Sequence, residues 1–231
     1  TVRGVTLSNS HGWTTTLRNC TRVLLSHVNV YGDWRMPNND GIDPCSCTNV
    51  TIEYADVNTA DDAISPKSSV PNADGTGFLP MRGLTVRNSR LRSRSFAVKV
   101  GTETNGDMSD LLFDNIQIYS SHQGIGIDPE GEGTFSNATF SNILINRVEW
   151  CGSGSFAAQN FTVRHVEFGN ENYGKWEVPY PQQPSAVTGE TYGNAFVGVV
   201  EALLQSAHGG RGSADSSCII CKPPIIEAMA G

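Results

Sequence analysis

No run of about 18 apolar residues occurs in the chain, so no segment reads as a membrane-spanning helix. Charged residues are scarce, at 17%, and their balance is acidic, with a net charge of −7. That balance argues against nucleic acid or an anionic membrane as the main partner. It leaves room for an acidic substrate, because a few local lysines can dominate a cleft. Long stretches with the 3.6-residue period of helices are also missing before residue 190 or so, while Gly (24 residues) and Asn are plentiful. This composition suits a turn-rich all-β protein, and 231 residues suffice for one large domain with a sizeable core.

The six cysteines, Cys20, Cys45, Cys47, Cys151, Cys218 and Cys221, permit disulfides without demanding them. Cys45-Ser46-Cys47 reads as a strand with both thiols on one side. Cys218 and Cys221 form a lone CxxC with no second ligand pair nearby, so no zinc site is expected. The chain opens at Thr1, directly in a β-like run, and reads as a fragment or processed form whose leader lay upstream. Four Asn-X-Thr sequons, at Asn19, Asn49, Asn137 and Asn160, are compatible with a secreted or extracellular protein. In an Asn-rich chain such triplets also arise by chance.

What is present is a repeat. The runs GVTLSN, RVLLSHVNV, NVTIEYADV, GLTVRNSRL, DLLFDNIQI, NATFSNILI and NFTVRHVEF align on Val5, Val23, Val50, Leu84, Leu111, Ala138 and Phe161. Spacings of roughly 18 to 34 residues, read as strand-turn-strand, predict a solenoid of strands. Two positions on lie mostly apolar residues, Leu7, Leu25, Ile52, Val86, Phe113, Phe140 and Val163, the period-2 burial of one strand face. Two further on stand Asn9, His27, Tyr54, Asn88, Asn115, Asn142 and His165, where Asn suits a left-handed bend and can ladder from coil to coil. A second register follows in DGIDP, DAISPK, FAVKVG and QGIGID, small then aliphatic. The expected fold is all-β: a right-handed parallel β-helix, a single-stranded solenoid of about 7 coils, open to truncation at its N-terminus. Residues 1–175 form the β-helix domain. Residues 176–231 read as a Pro-rich linker and an irregular or short-helical tail.

In the second register Asn39 aligns with Asp61, and Asp40 with Asp62. Three carboxylates, Asp40, Asp61 and Asp62, thus meet on one patch of a stiff sheet, where some must share protons at raised pKa. Such a set can cleave a glycosidic bond: one acid protonates the leaving oxygen while carboxylates activate water on the other face.

Asn38-Asn39-Asp40-Gly41 with Asp61-Asp62 and Lys67 resembles glycoside hydrolase family 28, the polygalacturonase and rhamnogalacturonase group. The stretch from Ser95 to Thr104 is similar to bacterial-type members, and the likeness spans roughly residues 1 to 170. The resemblance implies inverting hydrolysis of pectic polymers without metal or cofactor, with Asp61 as general acid, Asp40 and Asp62 as water-activating bases, and Asn38 binding substrate. It also exposes departures. Polygalacturonases carry Gly-His-Gly where this chain has Ser95-Phe96-Ala97, the histidine giving way to Phe96. They carry Arg-Ile-Lys, which grips the uronate carboxylate, against Gly126-Ile127-Asp128 here. Lys67, Lys99 and Glu103 are candidates for a different set of sugar contacts, with Lys67 and Lys99 pointing out beside the acids and His122 at the cleft edge. A rhamnogalacturonan fits as well as a homogalacturonan.

Plainer readings stand beside these. Either lysine, or Glu103, can simply balance the acidic patch, and His122 can be a solvated turn residue. Asp43, Asp114 and Asp128 read as turn residues bonded to backbone amides. His11, His27, His165 and His208 show no partner spacing. The RNSRLRSRS segment reads as a solvated or polyanion-facing edge. The expected partner is an acidic plant cell-wall polysaccharide, with no nucleic acid and no membrane, bound by a monomer. A lyase or epimerase on the same fold, and a non-catalytic binding or structural β-helix, are the rival functions.

Overall fold

A computed structural model describes residues 1–146, with backbone alone for 127–129, and the backbone of the strands Ala158–Phe168 and Ala186–Val187. The expectation for 176–231 otherwise lies outside the described residues, as do Cys151, Cys218, Cys221 and His208. The chain is a parallel β-solenoid. On one face the strands Val2–Arg3, Thr21–Ser26, Thr48–Glu53, Met81–Thr102, Met108–Pro129, Phe135–Ile145 and Ala158–Phe168 stack in chain order, all parallel. Val23, Val50, Leu84, Leu111, Ala138 and Phe161 fall in one pairing register, as the repeat required.

The first run does not. Thr6, Leu7 and Ser8 pair with Asn29, Val30 and Tyr31, so Val5 sits below Val28 and not below Val23. Each coil carries two apolar runs, one on either side of the bend, and GVTLSN belongs to the second. Its hydrophobic alternation is the same, and period-2 patterns slide on one another unless a bend fixes them. The coil count changes too. Seven rungs stack, but they bound only five turns wholly within described residues, running Val2, Leu25, Ile52, Val86, Phe113, Phe140.

Bends set the geometry. Gly4, His27, Tyr54, Asn88, Asn115 and Asn142 stand one above another with φ of 62, 55, 52, 52, 50 and 52°. Asn tolerates this left-handed region because its amide bonds locally, and here it also ladders: Asn115 Nδ2 donates to Asn88 Oδ1 at 2.7 Å. His27 and Tyr54 stack their rings instead, centroids 4.8 Å apart. A second left-handed column runs through Arg22, Asn49, Gly83, Asp110 and Asn137. Three of the sequons, Asn19, Asn49 and Asn137, are therefore bend residues at positive φ followed by a strand threonine. The fold generates that triplet by itself.

Inside the coils, like residues stack on like. Ile42, Ile64, Val98 and Ile125 form one column. Phe113 and Phe140 stack nearly parallel, centroids 4.8 Å apart. Each fully buried aliphatic or aromatic side chain stabilises the fold by about 1.5–3 kcal/mol. The 34-residue step from Thr48 to Arg82 accommodates a hairpin-like excursion closed by Leu79 N donating to Val70 O at 2.7 Å and Asn72 N to Gly77 O at 2.8 Å.

Cys45 and Cys47 do not share a side. Ser46 between them is a left-handed bend (φ 50°), which sends Cys45 Sγ to Ser69 Oγ at 3.2 Å and Cys47 into the core against Leu17 O at 3.3 Å. Both are free thiols, and burial lifts Cys47 to about 11.

At Gly41, next to Asp40, two coils press closely together. A Cβ there would lie 2.4 Å from Ala63 O and from Val57 Cγ1. Gly41→Ala is expected to destabilise the fold by about 1–3 kcal/mol through overpacking, read as a lower urea midpoint. An unchanged midpoint would mean the coils can part there without cost.

Candidate active site

The site lies on a second face, where the rungs 14–18, 40–45, 62–67, 96–101 and 123–128 stack. Its register is Gly41 N to Asp62 O at 2.8 Å and Ala63 N to Phe96 O at 2.8 Å. Asp40, Asp62 and Phe96 therefore share one column, and Asp43, Ser65, Lys99 and Gly126 a second. Parallel strands ~4.8 Å apart force residues in one column together, so the acids of adjacent rungs converge as the alignment required.

Asp40 and Asp62 are each 3% exposed, while Asp61 is half-buried. Burial raises Asp40 first, then the Asp62 charge, and Lys67 only partly offsets them, leaving it at about 6. Asp62 is also raised, mainly by burial, against the pull of Lys99 and its hydrogen bonds. Those are Ser95 Oγ at 2.7 Å and Phe96 N at 3.1 Å, both to Oδ1, while Lys99 Nζ stands 3.6 Å from Oδ2. Asp61 Oδ1 accepts from Asp62 N at 3.0 Å. Its own backbone is pinned: Asn39 Oδ1 accepts from Ala60 N and Asp61 N, and Thr59 Oγ1 and Ser93 Oγ both donate to Asp61 O at 2.7 Å.

Lys67 departs from the expected outward pose. Its side chain is 3% exposed and its ammonium sits inside the acid cluster, 3.6 Å from Asp40 Oδ2, 3.7 Å from Asp43 Oδ1 and 3.3 Å from Glu103 Oε2. It donates to Ser65 Oγ at 3.0 Å, and the Trp13 ring covers it at 4.6 Å. Burial would lower this lysine, but Asp43, Asp40, Glu103 and Asp62 outweigh it and hold it above its usual range. Lys67 thus fits the charge-balancing role, and of this ion-pair group only Glu103 reaches solvent, its side chain 38% exposed. Asn38 is exposed at a left-handed bend (φ 54°), and His122 is half-buried one rung beyond Ser95.

Asp43 is a correction. It is fully buried, and neither oxygen meets a hydrogen-bond donor, backbone amide or otherwise. What it faces is Lys67 and the Asp40 carboxyl, and burial, then the Asp40 charge, raise it to about 9. Burial and the Asp40 charge thus favour its neutral form, and the Lys67 charge opposes them. Asp114 also bonds to side chains, not backbone amides: Ser141 Oγ and Asn142 Nδ2 donate to it at 2.7 Å. Asp43, Asn39, Ser65, Ser95 and Trp13 are the site residues that sequence reasoning missed. The signal for Asp43 was available, since Ser65 and Lys99 share its column.

The two departures from the family pattern are one physical event. A Cβ on Gly126 would lie 2.1 Å from Phe96 Cε1, so the Phe96 ring occupies the space in which a side chain at 126 would start. Among the described residues no group of three or more His, Cys, Asp or Glu is arranged to hold a metal ion. No helix among them is long and apolar enough to cross a membrane.

A parallel β-helix with three aspartates converging from adjacent rungs defines a class of carbohydrate-active protein, and the comparisons make it specific. The model for Glycosyl hydrolases family 28 matches residues 1–152, and the chain belongs to that family. It is 28% identical over 127 residues to a probable polygalacturonase of Vitis vinifera, covering 54% of this chain and 26% of that protein. It is 26% identical over 113 residues to an endo-polygalacturonase of Pectobacterium parmentieri, covering 48% and 26%. The chain thus spans about a quarter of the length of these relatives. In fold it is similar to the family 28 exopolygalacturonase of Yersinia enterocolitica, with TM-score 0.62 and 19% identity over 78% of this chain and 34% of that one. A hyperthermoactive exopolygalacturonase of Thermotoga maritima follows, with TM-score 0.53 and 19% identity over 81% and 55%.

Proposed function

We propose that the chain carries the catalytic centre of a hydrolase that cleaves pectic polysaccharide by inverting acid/base chemistry. Asp61 acts as general acid, and Asp40 with Asp62 activates the attacking water. The observation that carries this reading is the convergence of Asp40 and Asp62 across one 2.8 Å backbone hydrogen bond, each with its own lysine 3.6 Å away. Buried bases must stay ionised to take a proton, and an adjacent ammonium favours the ionised form. Asp61, the most open of the three, is the one able to reach a leaving oxygen. The names of the two curated relatives favour polygalacturonan as substrate. Rhamnogalacturonan remains the comparison substrate. The protein acts outside the cell as a monomer on plant cell-wall polymer, with Asn38, Lys67, Lys99, Glu103 and His122 lining or supporting the sugar site.

Incubation with polygalacturonan and rhamnogalacturonan side by side tests this. The expected result is new reducing ends from the first, unaffected by chelator and without an unsaturated, ultraviolet-absorbing product. Growth of that absorbance would instead mark a lyase. Binding without either product would mark a non-catalytic module.

A further inference from the structure

Arginines alternate along the strand that runs up to the acid cluster: Arg90, Arg92 and Arg94. Arg90 is matched, with Nη1 3.9 Å from Asp56 Oδ2 and its guanidinium over the Tyr119 ring. Arg35 and Arg87 likewise have Asp33 and Glu53. Among the described residues Arg92 and Arg94 have no carboxylate partner. Both are instead held against Trp34. The Arg92 guanidinium lies 4.1 Å above the Trp34 ring, with its Nε buried and lacking an acceptor. Arg94 is exposed and donates one N–H to the Trp34 carbonyl, which leaves most of its five donors unused. Trp34 is itself fixed, donating Nε1–H to Asn58 Oδ1 at 2.8 Å.

This group adjoins the acids through short links. Arg94 precedes Ser95, which bonds Asp62, and follows Ser93, which bonds the Asp61 carbonyl. The loop bearing Trp34 ends at Asn39, which donates to Asp33 O at 2.9 Å and accepts from the Asp61 amide. Two guanidinium groups without a carboxylate partner, on a chain of net charge −7, are thus carried by residues that flank the serines bonded to Asp61 and Asp62. Meanwhile Phe96 fills the space above Gly126, so no cation can project from that position.

We propose that Arg92, Arg94 and Trp34 form an anionic-sugar subsite on the Asp61 side of the cleft, taking the carboxylate of a uronate next to the bond that is cleaved. Arg94 pairs with the carboxylate through its free N–H groups, a planar fork matching a planar acid. Arg92 adds charge from behind the ring, and Trp34 gives the sugar an apolar edge. The inference rests on the hydrolase reading in one respect, that the ligand is a stretch of its substrate.

The test is equilibrium binding to the full chain carrying Asp61→Asn, which prevents turnover, with trigalacturonate and its methyl ester as probes. The acid is expected to bind about tenfold more tightly than the ester, the scale of one charge-assisted pair. Adding Arg94→Gln should remove that preference while leaving ester binding unchanged, and Arg94→Lys should recover part of it. Preference that survives Arg94→Gln, or equal or absent binding of acid and ester before it, overturns the subsite. Hydrolysis by the unmodified chain is scored separately. Release of reducing ends with an Arg94-independent preference defeats the subsite alone, and an Arg94-dependent preference without release defeats the hydrolase alone.

Discussion

Asp61→Asn is expected to lower the release of reducing ends from polygalacturonan by a factor of about 10²–10⁴, the usual contribution of a positioned general acid. The substitution keeps size and shape. An Asn carbonyl oxygen can still accept the Asp62 amide hydrogen bond now made at 3.0 Å, and the pins on the Asp61 backbone come from Asn39, Thr59 and Ser93. Stability should therefore change little, and any loss of rate reports on the missing proton. Because an interaction made only in the transition state is removed, kcat should fall while KM stays near its original value. Activity within tenfold of the unmodified chain would remove Asp61 from the chemistry and with it the proposed acid/base pair. A fall of similar size in KM-normalised rate, carried by KM, would recast Asp61 as a binding residue.

Much of the fold was legible because its strongest signal is repetition. Val50, Leu84, Leu111 and Ala138 could be aligned by eye, and the pairing register agrees with each of them. The first coil was misaligned because GVTLSN and RVLLSH share the same alternation, and only the bend at Gly4, invisible as anything but another glycine, separates them. The convergence of Asp40, Asp61 and Asp62 was legible for the same reason as the core, since one register carries both. What sequence could not supply was direction. A period-2 reading puts Lys67 outward, but outward on this face means into a cluster roofed by Trp13 from the rung below. Asp43 was likewise discounted as an ordinary turn acid, because its lack of donors is a property of packing and not of spacing. The coupling of Phe96 to Gly126 needed coordinates too: 30 residues of chain separate two positions that the coil brings into contact.

Lys67→Met carries the largest expected effect on stability, about 3–5 kcal/mol near pH 8. Methionine replaces the aliphatic stem and removes the charge, leaving carboxyls buried without their counter-ion, which is the costly way to break a buried ion pair. Lys67 stands within 3.3–3.7 Å of three acids on two rungs, so no single carboxylate can be relieved alone. The pH dependence separates charge from packing. Asp40 and Asp43 are raised above the ordinary value near 4, to about 6 and about 9. Groups raised in this direction contribute stability that is full below their unfolded value and is lost as pH climbs through the folded one. The unmodified chain should thus be most stable near pH 4 and lose stability through pH 6 and onward toward 9. Lys67, also raised, keeps its contribution until pH rises past its own folded value. Without it the two acids must move higher still, so the cost of Lys67→Met should be small near pH 4, where both are neutral, and grow several-fold by pH 8. Urea denaturation at the two pH values measures this. A cost equal at both would mean that Lys67 only fills space, whereas partial rescue by adding Asp43→Leu would locate the uncompensated charge on the Asp43–Asp40 pair.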